Sequence, residues 1–194
     1  PDRQRTLRAT IAWSYDLLSE GARRLLAACS VFRGGINLDI IETVCAEAMD
    51  LGVPILDALA ELVDQSLLSQ GSVSATVPRY TMLETVREFA AEQLAEMDEA
   101  ADARAAHASA FRSVADDLDR PPCWPARAGL DLIELEHDNF RAALDWAQTD
   151  DPAAALRLAN SLTAFWSARG HFSEGRRRLG NLIELVATEG SERL

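Results

Sequence analysis

One short run of β pattern stands inside a chain that otherwise reads as helix, and it limits the fold more than any other feature. Residues 67–70, "LLSQ", and 79–82, "RYTM", flank the small-residue stretch "GSVSATVP". Two short strands around such a loop predict a hairpin. From Glu84 the pattern changes, with Val86, Phe89, Ala90 and Leu94 on one face of a helix. The strand gives way to the helix at Met82-Leu83-Glu84.

Upstream of the hairpin the pattern is helical. Leu7, Ile11, Tyr15 and Leu18 share a face over residues 6–18. Ser19 with Gly21 interrupts that helix and offers an N-cap to a second, near 20–32, which Gly34-Gly35 ends. Asn37 or Asp39 caps a third, about 38–50, and Pro54 suits the first turn of a fourth, "PILDALAELVDQSL". Downstream, helices fall near 98–118, 129–149, 152–169 and 172–188, and Pro121, Pro122 and Pro125 mark a loop around Trp124. Gly170 ends one helix and Ser173 caps the next. Phe172, Gly175, Leu179, Leu182, Ile183 and Val186 form a stripe, part of which is expected to pack on the helix with Phe165 and Trp166. The expected fold is mainly α, with domains at 1–97 and 98–194.

Charge narrows the function. The net charge is -12, and all 19 basic residues are Arg. Residues 1–97 hold 14 acids and 8 arginines and residues 98–194 hold 17 and 11, so both halves are acidic. Phosphate binding relies on local positive charge, so wrapping DNA or an anionic membrane is a poor match. Without lysine there is neither a Schiff-base lysine nor a phosphate-loop lysine. Cys29, Cys45 and Cys123 have no short spacing and read as reduced, buried thiols of a cytosolic protein. No apolar run is long enough to span a membrane, and no signal peptide opens the chain. Starting at Pro1 without Met, the chain reads as a piece of a longer protein.

The segments "TIAWSYDLLSEGARRLLAACSVFRGGINLDIIETVC", "ILDALAELVDQSLLS" and "RYTMLETVREFA" resemble the winged-helix domain of bacterial signal-transduction ATPases with numerous domains, the NB-ARC-like STAND proteins. The segments "ELEHDNFRAALDWA" and "FWSARGHFSEGRRRL" continue the likeness, and residues 158–185 resemble one tetratricopeptide repeat, with small residues at Ala168 and Gly175. The resemblance covers most of the chain and extends to large LuxR-type transcriptional regulators. It implies a coupling region between a neighbouring nucleotide-binding domain and a repeat-based sensor that takes a protein or small-molecule inducer. It also implies ATP or ADP in the full-length protein and none in this piece. Two other functions are open: a stand-alone winged-helix DNA-binding regulator, and the regulatory region of an adenylate-cyclase-like signalling protein.

In that family the strand-to-helix junction often reads Met-His-Asp, and its histidine faces the phosphates of bound ADP. Here Met82 matches, Glu84 keeps the acid and Leu83 replaces the histidine. Leucine donates no hydrogen bond, so Leu83 is expected to pack and Glu84 to cap the helix.

Other sites are weaker. A DNA-reading helix would be about 54–66, which carries Asp57, Glu61 and Asp64 and no base, while the hairpin adds only Arg79. Arg176, Arg177 and Arg178 point in different directions and read as solvated helix surface. His107, His137 and His171 are far apart in sequence, and Glu134, Glu136, His137 and Asp138 lack a metal-ligand spacing, so no metal is expected. Trp13, Trp124, Trp146 and Trp166 read as apolar anchors. No catalytic residue and no enzymatic activity are expected.

Overall fold

The computed structural model describes residues 2–74, 77–118 and 127–192. Cys123, Trp124 and the proline-marked loop lie outside them. The architecture is mainly α, with a small antiparallel sheet. The chain divides into two compact units, Pro1–His107 and Ala108–Leu194. The division falls inside one helix, whereas the boundary expected from sequence precedes that helix.

The first unit begins with α1 (Asp2–Asp16), α2 (Glu20–Cys29), β1 (Gly35–Asn37), α3 (Leu38–Ala48) and α4 (Ile55–Asp64). It continues through β2 (Ser69–Ser74), β3 (Val77–Thr81), α5 (Glu84–Ala95) and the start of α6 (Ala100–Leu118). Helix α2 is the hub. Its Leu25, Leu26 and Ala27 are fully buried, and α3, α4 and α5 pack around it. Ile41 and Val44 of α3, Leu59 and Leu62 of α4, and Val86, Phe89 and Leu94 of α5 complete the core. This matches the apolar stripes of the sequence, as their 3.6-residue period requires. Asn37 caps α3 by accepting from Asp39 N at 3.0 Å. Pro54 sits at the N-cap of α4 rather than inside its first turn.

The sheet has three strands in the order β1-β3-β2, one more than the hairpin expected. Gly34-Gly35 ends the run after α2, and Gly35 at once enters β1, pairing with Thr81 while Ile36 pairs with Tyr80. Three residues are too few to show a period of two, so β1 carries no strand pattern of its own. Pro78 sits in the middle strand, where a proline removes a ladder hydrogen bond. It is accommodated because β1 pairs only with residues 79–81, and β2 is irregular opposite it, between Ser72 and Ser74.

The second unit holds the rest of α6, then α7 (Arg127–Leu135), α8 (His137–Asp150), α9 (Pro152–Ser161), α10 (Thr163–Arg169) and α11 (Phe172–Glu192). Two helices expected as single are each divided, at Glu136 and at Leu162. Backbone hydrogen bonds run through both points, so these are local deformations and not turns. Gly170 adopts φ 81°, a left-handed conformation that suits glycine, and reverses the chain into α11. A Cβ at Gly175 would lie 2.6 Å from the Trp166 ring, so the missing side chain lets α11 close onto α10. Ala168, expected to share that role, is exposed. In α11 Leu182 is buried, while Phe172 and Ile183 are exposed. Phe111, Phe140, Phe165 and Trp166 are large buried side chains of this unit.

Candidate functional site

The β3-to-α5 junction is a surface feature of the first unit. Leu83 occupies the N-cap of α5 with extended backbone, φ -64° and ψ 143°. Its carbonyl accepts the first helical hydrogen bond, from Arg87 N at 2.9 Å. Its side chain is 67% exposed, so the expected packing of Leu83 is not found. Met82 is half-buried.

Glu84 does not serve as the expected cap. Its carboxylate accepts from Arg87 Nε at 2.8 Å and pairs with Arg87 Nη2, and Arg33 Nη1 stands 3.8 Å away. The hydrogen bond to Arg87 holds the Glu84 carboxyl below its usual range. A negative charge in the first turn also suits the helix dipole. The junction thus exposes a leucine beside a carboxylate that occupies two arginines.

Helix α4 presents Leu56, Asp57, Ala60 and Asp64 to solvent. Glu61 turns aside to α2, where its Oε1 accepts from Ser19 N at 2.7 Å and its Oε2 from Ser19 Oγ at 2.6 Å. Ser19 Oγ in turn accepts from Ala22 N at 3.3 Å, capping α2. The sequence marks Ser19 as a cap and gives no sign of its distant partner. Arg79 is buried, with Nη2 donating to Gly35 O at 2.8 Å, so it is not the exposed hairpin cation expected. Trp13, expected as an anchor, is 63% exposed, while Trp166 is buried. Cys29 and Cys45 are free and buried, and burial pushes the Cys45 thiol up to about 12 and the Cys29 thiol well above its ordinary value.

A second polar cluster lies in the second unit. Arg178 is buried, not solvated, and donates to Glu174 Oε1 at 3.1 Å and Asp145 Oδ1 at 2.7 Å. Arg141 donates to both Glu174 oxygens, at 2.9 and 2.7 Å. These bonds, led by Arg141, hold the Glu174 carboxyl down at about 2. His137 is buried next to Glu174, with Nε2 3.4 Å from Glu174 Oε2. Burial, then the Arg141 charge, lowers its pKa. The four neighbouring residues singled out from sequence separate. Glu136 accepts from Asn139 Nδ2 at 2.7 Å, Asp138 pairs with Arg141, and Glu134 and His137 face His171. His171 was not associated with them, because it enters from 34 residues further along the chain. Among the described residues no helix is long and apolar enough to cross a membrane.

Comparison with known proteins bears on this geometry. Residues 18–95 match the family described as the winged helix-turn-helix domain. This span covers α2 through α5. The chain is 36% identical, over 94% of its length, to the Mycobacterium tuberculosis H37Rv protein named "Putative HTH-type transcriptional regulator Rv0890c". A Mycobacterium bovis protein of the same description, Mb0914c, shows the same identity and coverage. The uncharacterized M. tuberculosis protein Rv0894 is 39% identical over half of the chain, which spans 25% of that protein. The chain spans about one fifth of the length of the two regulators it matches. No solved structure matches it.

Proposed function

We propose that this chain is the interdomain coupling region of a larger, ATP-binding transcription regulator of the signal-transduction ATPase type. In this reading a nucleotide-binding module adjoins the winged helix in the same polypeptide. The second unit begins a tetratricopeptide-like sensor that receives a protein or small-molecule inducer. The winged helix moves as a rigid body between nucleotide states, which requires different contacts in each state. ATP or ADP is held by the neighbouring module, and this region contributes no catalytic group. The protein acts in the cytoplasm.

The acidic face of α4 carries the proposal. A helix that reads DNA presents arginine, lysine or amides to the bases and phosphates. Here the corresponding helix exposes Asp57 and Asp64. The nearby Arg79 is occupied by the Gly35 carbonyl. A winged helix with such a surface is suited to a protein neighbour. The description of the M. tuberculosis relative as an HTH-type regulator supports a role in transcription, with DNA contacts made elsewhere in the longer protein.

A fluorescence anisotropy titration of this chain with duplex DNA at low salt tests the reading. No saturable binding is expected. Sub-micromolar binding that weakens with added salt, as counterion release demands, would overturn it in favour of a direct DNA reader.

A further inference from the structure

We propose that Glu134, His137 and His171 form a binding site for a divalent transition-metal ion, with Zn²⁺ the ion of choice. Three separate places in the fold supply the donors. Glu134 lies in the last turn of α7, His137 opens α8, and His171 occupies the turn between Gly170 and α11. One potential ligand atom from each lies within 4.8 Å of the other two. His171 Nε2 stands 3.7 Å from Glu134 Oε1, and the two imidazole centroids are 4.6 Å apart.

The second observation is His137 itself. The residue is only 7% exposed, and its Nε2 is buried without a hydrogen-bond partner. Glu174 Oε2, already engaged by Arg141, stands 3.4 Å away but makes no hydrogen bond with it, so this atom has lost its water without gaining a hydrogen bond. As a neutral imidazole it offers a lone pair, the form in which histidine ligates metals. Phe165 packs edge-on against His137 at 5.0 Å and stacks on His171 at 5.4 Å, limiting how both rings can turn.

The donor set selects the ion. Two imidazoles and one carboxylate match the three protein ligands of an open zinc site, with water in the fourth position. Magnesium and calcium want oxygen ligands, and only one carboxylate is offered here. Zinc–ligand bonds of about 2.0–2.2 Å place neighbouring ligand atoms roughly 3.4 Å apart, so the side chains close in by about an ångström or less. Glu134 and His171 are partly exposed, which leaves a path of entry. Glu174 stays with Arg141 and Arg178 as a charged neighbour to His137. Its negative charge offsets part of theirs near the bound cation. This inference is independent of the coupling role proposed above.

The test uses the whole chain after chelator treatment and dialysis. Calorimetric titration with Zn²⁺ near neutral pH is expected to give one ion per chain, with a Kd on the order of 1 μM or tighter. Co²⁺ in place of Zn²⁺ should give the visible absorption of a four-coordinate nitrogen–oxygen site. Bound Zn²⁺ should raise the Tm. Glu134→Gln and His171→Asn, both at partly exposed positions, should each weaken binding at least about tenfold. Each should keep the circular dichroism spectrum and metal-free Tm of the parent. Should His171→Asn fail to fold, Glu134→Gln alone decides. Absence of saturable binding, binding that neither substitution weakens, or Mg²⁺ binding as tight as Zn²⁺ would overturn the assignment.

Discussion

The Arg79 guanidinium fills the space where Gly35 would carry a side chain. A Cβ on Gly35 would lie 2.1 Å from Arg79 Nε, and Arg79 Nη2 donates to the Gly35 carbonyl at 2.8 Å. The contact joins β1 to β3 and removes from the surface the one cation the hairpin possesses. Gly35→Ala should therefore destabilise the first unit by about 1–3 kcal/mol, the usual cost of overpacking. Urea unfolding measures it, and an unchanged midpoint would show that Arg79 moves aside freely. Arg79→Met keeps much of the packing and loses the hydrogen bond, so it should cost less than Gly35→Ala.

Ser19 donates twice to the Glu61 carboxylate, tying the start of α2 to the middle of α4. Ser19→Ala should cost about 0.5–2 kcal/mol as a lost N-cap. Glu61→Ala should cost a comparable amount, since it leaves Ser19 N without its carboxylate. The pair should not be additive. A double-mutant cycle by chemical denaturation should return a coupling of about 0.5–3 kcal/mol, and a coupling of zero would mean that water replaces the contact without loss.

The buried thiols predict an alkaline limb of the stability curve. Burial raises the Cys45 pKa to about 12 in the folded chain, from an ordinary value near 9. A group with a raised folded pKa contributes stability that is complete below the unfolded value and is lost as pH rises toward the folded one. Between pH 9 and 12 the unfolded chain has released this proton and the folded chain has kept it, so unfolding becomes easier by about 1.4 kcal/mol per pH unit. Cys45→Ala should flatten that slope relative to the parent when unfolding is followed from pH 8 to 11. Equal slopes would contradict the burial effect. For the same reason neither Cys29 nor Cys45 should react with a thiol reagent at pH 8 except through unfolding.

Leu83 offers a test of the coupling role. It stands exposed at a helix start, where free N–H groups and the helix dipole favour an anion. In the longer protein, Leu83→His should slow the release of ADP, because the imidazole supplies a donor that leucine lacks. Stopped-flow displacement of a fluorescent ADP analogue measures the rate. An unchanged rate would indicate that this junction does not face the nucleotide.

Helix positions were legible in the sequence where an apolar stripe repeats over several turns, as in α2, α4 and α5. Features held by one distant contact were not. Strand β1 is three residues long and is recognised by its pairing with β3, not by its own pattern. Helix deformation at Glu136 accompanies a buried carboxylate that accepts from Asn139, both of which read as ordinary polar helix residues. Arg178 reads in sequence as one member of a solvated arginine run, and its partners Asp145 and Glu174 are set by the fold. Leu83 and Trp13 failed in the opposite direction, since an apolar residue at helical spacing does not reveal whether anything covers it. For the metal cluster, Glu134 and His137 were visible as neighbours. His171 joins them only through the chain reversal at Gly170, which a linear spacing rule does not register.

The short β1 strand and the break in β2 have a consequence for the chain's behaviour among its own copies. An open strand edge invites another polypeptide when it presents a long, flat series of unpaired amides and carbonyls. On one side this sheet offers only the length of Gly35–Asn37, and on the other its regular pairing is interrupted between Ser72 and Ser74, opposite Pro78. A second molecule would find little continuous backbone to zip against. Crowding many copies together, on a ribosome or within an oligomer, should therefore not drive strand exchange between wings.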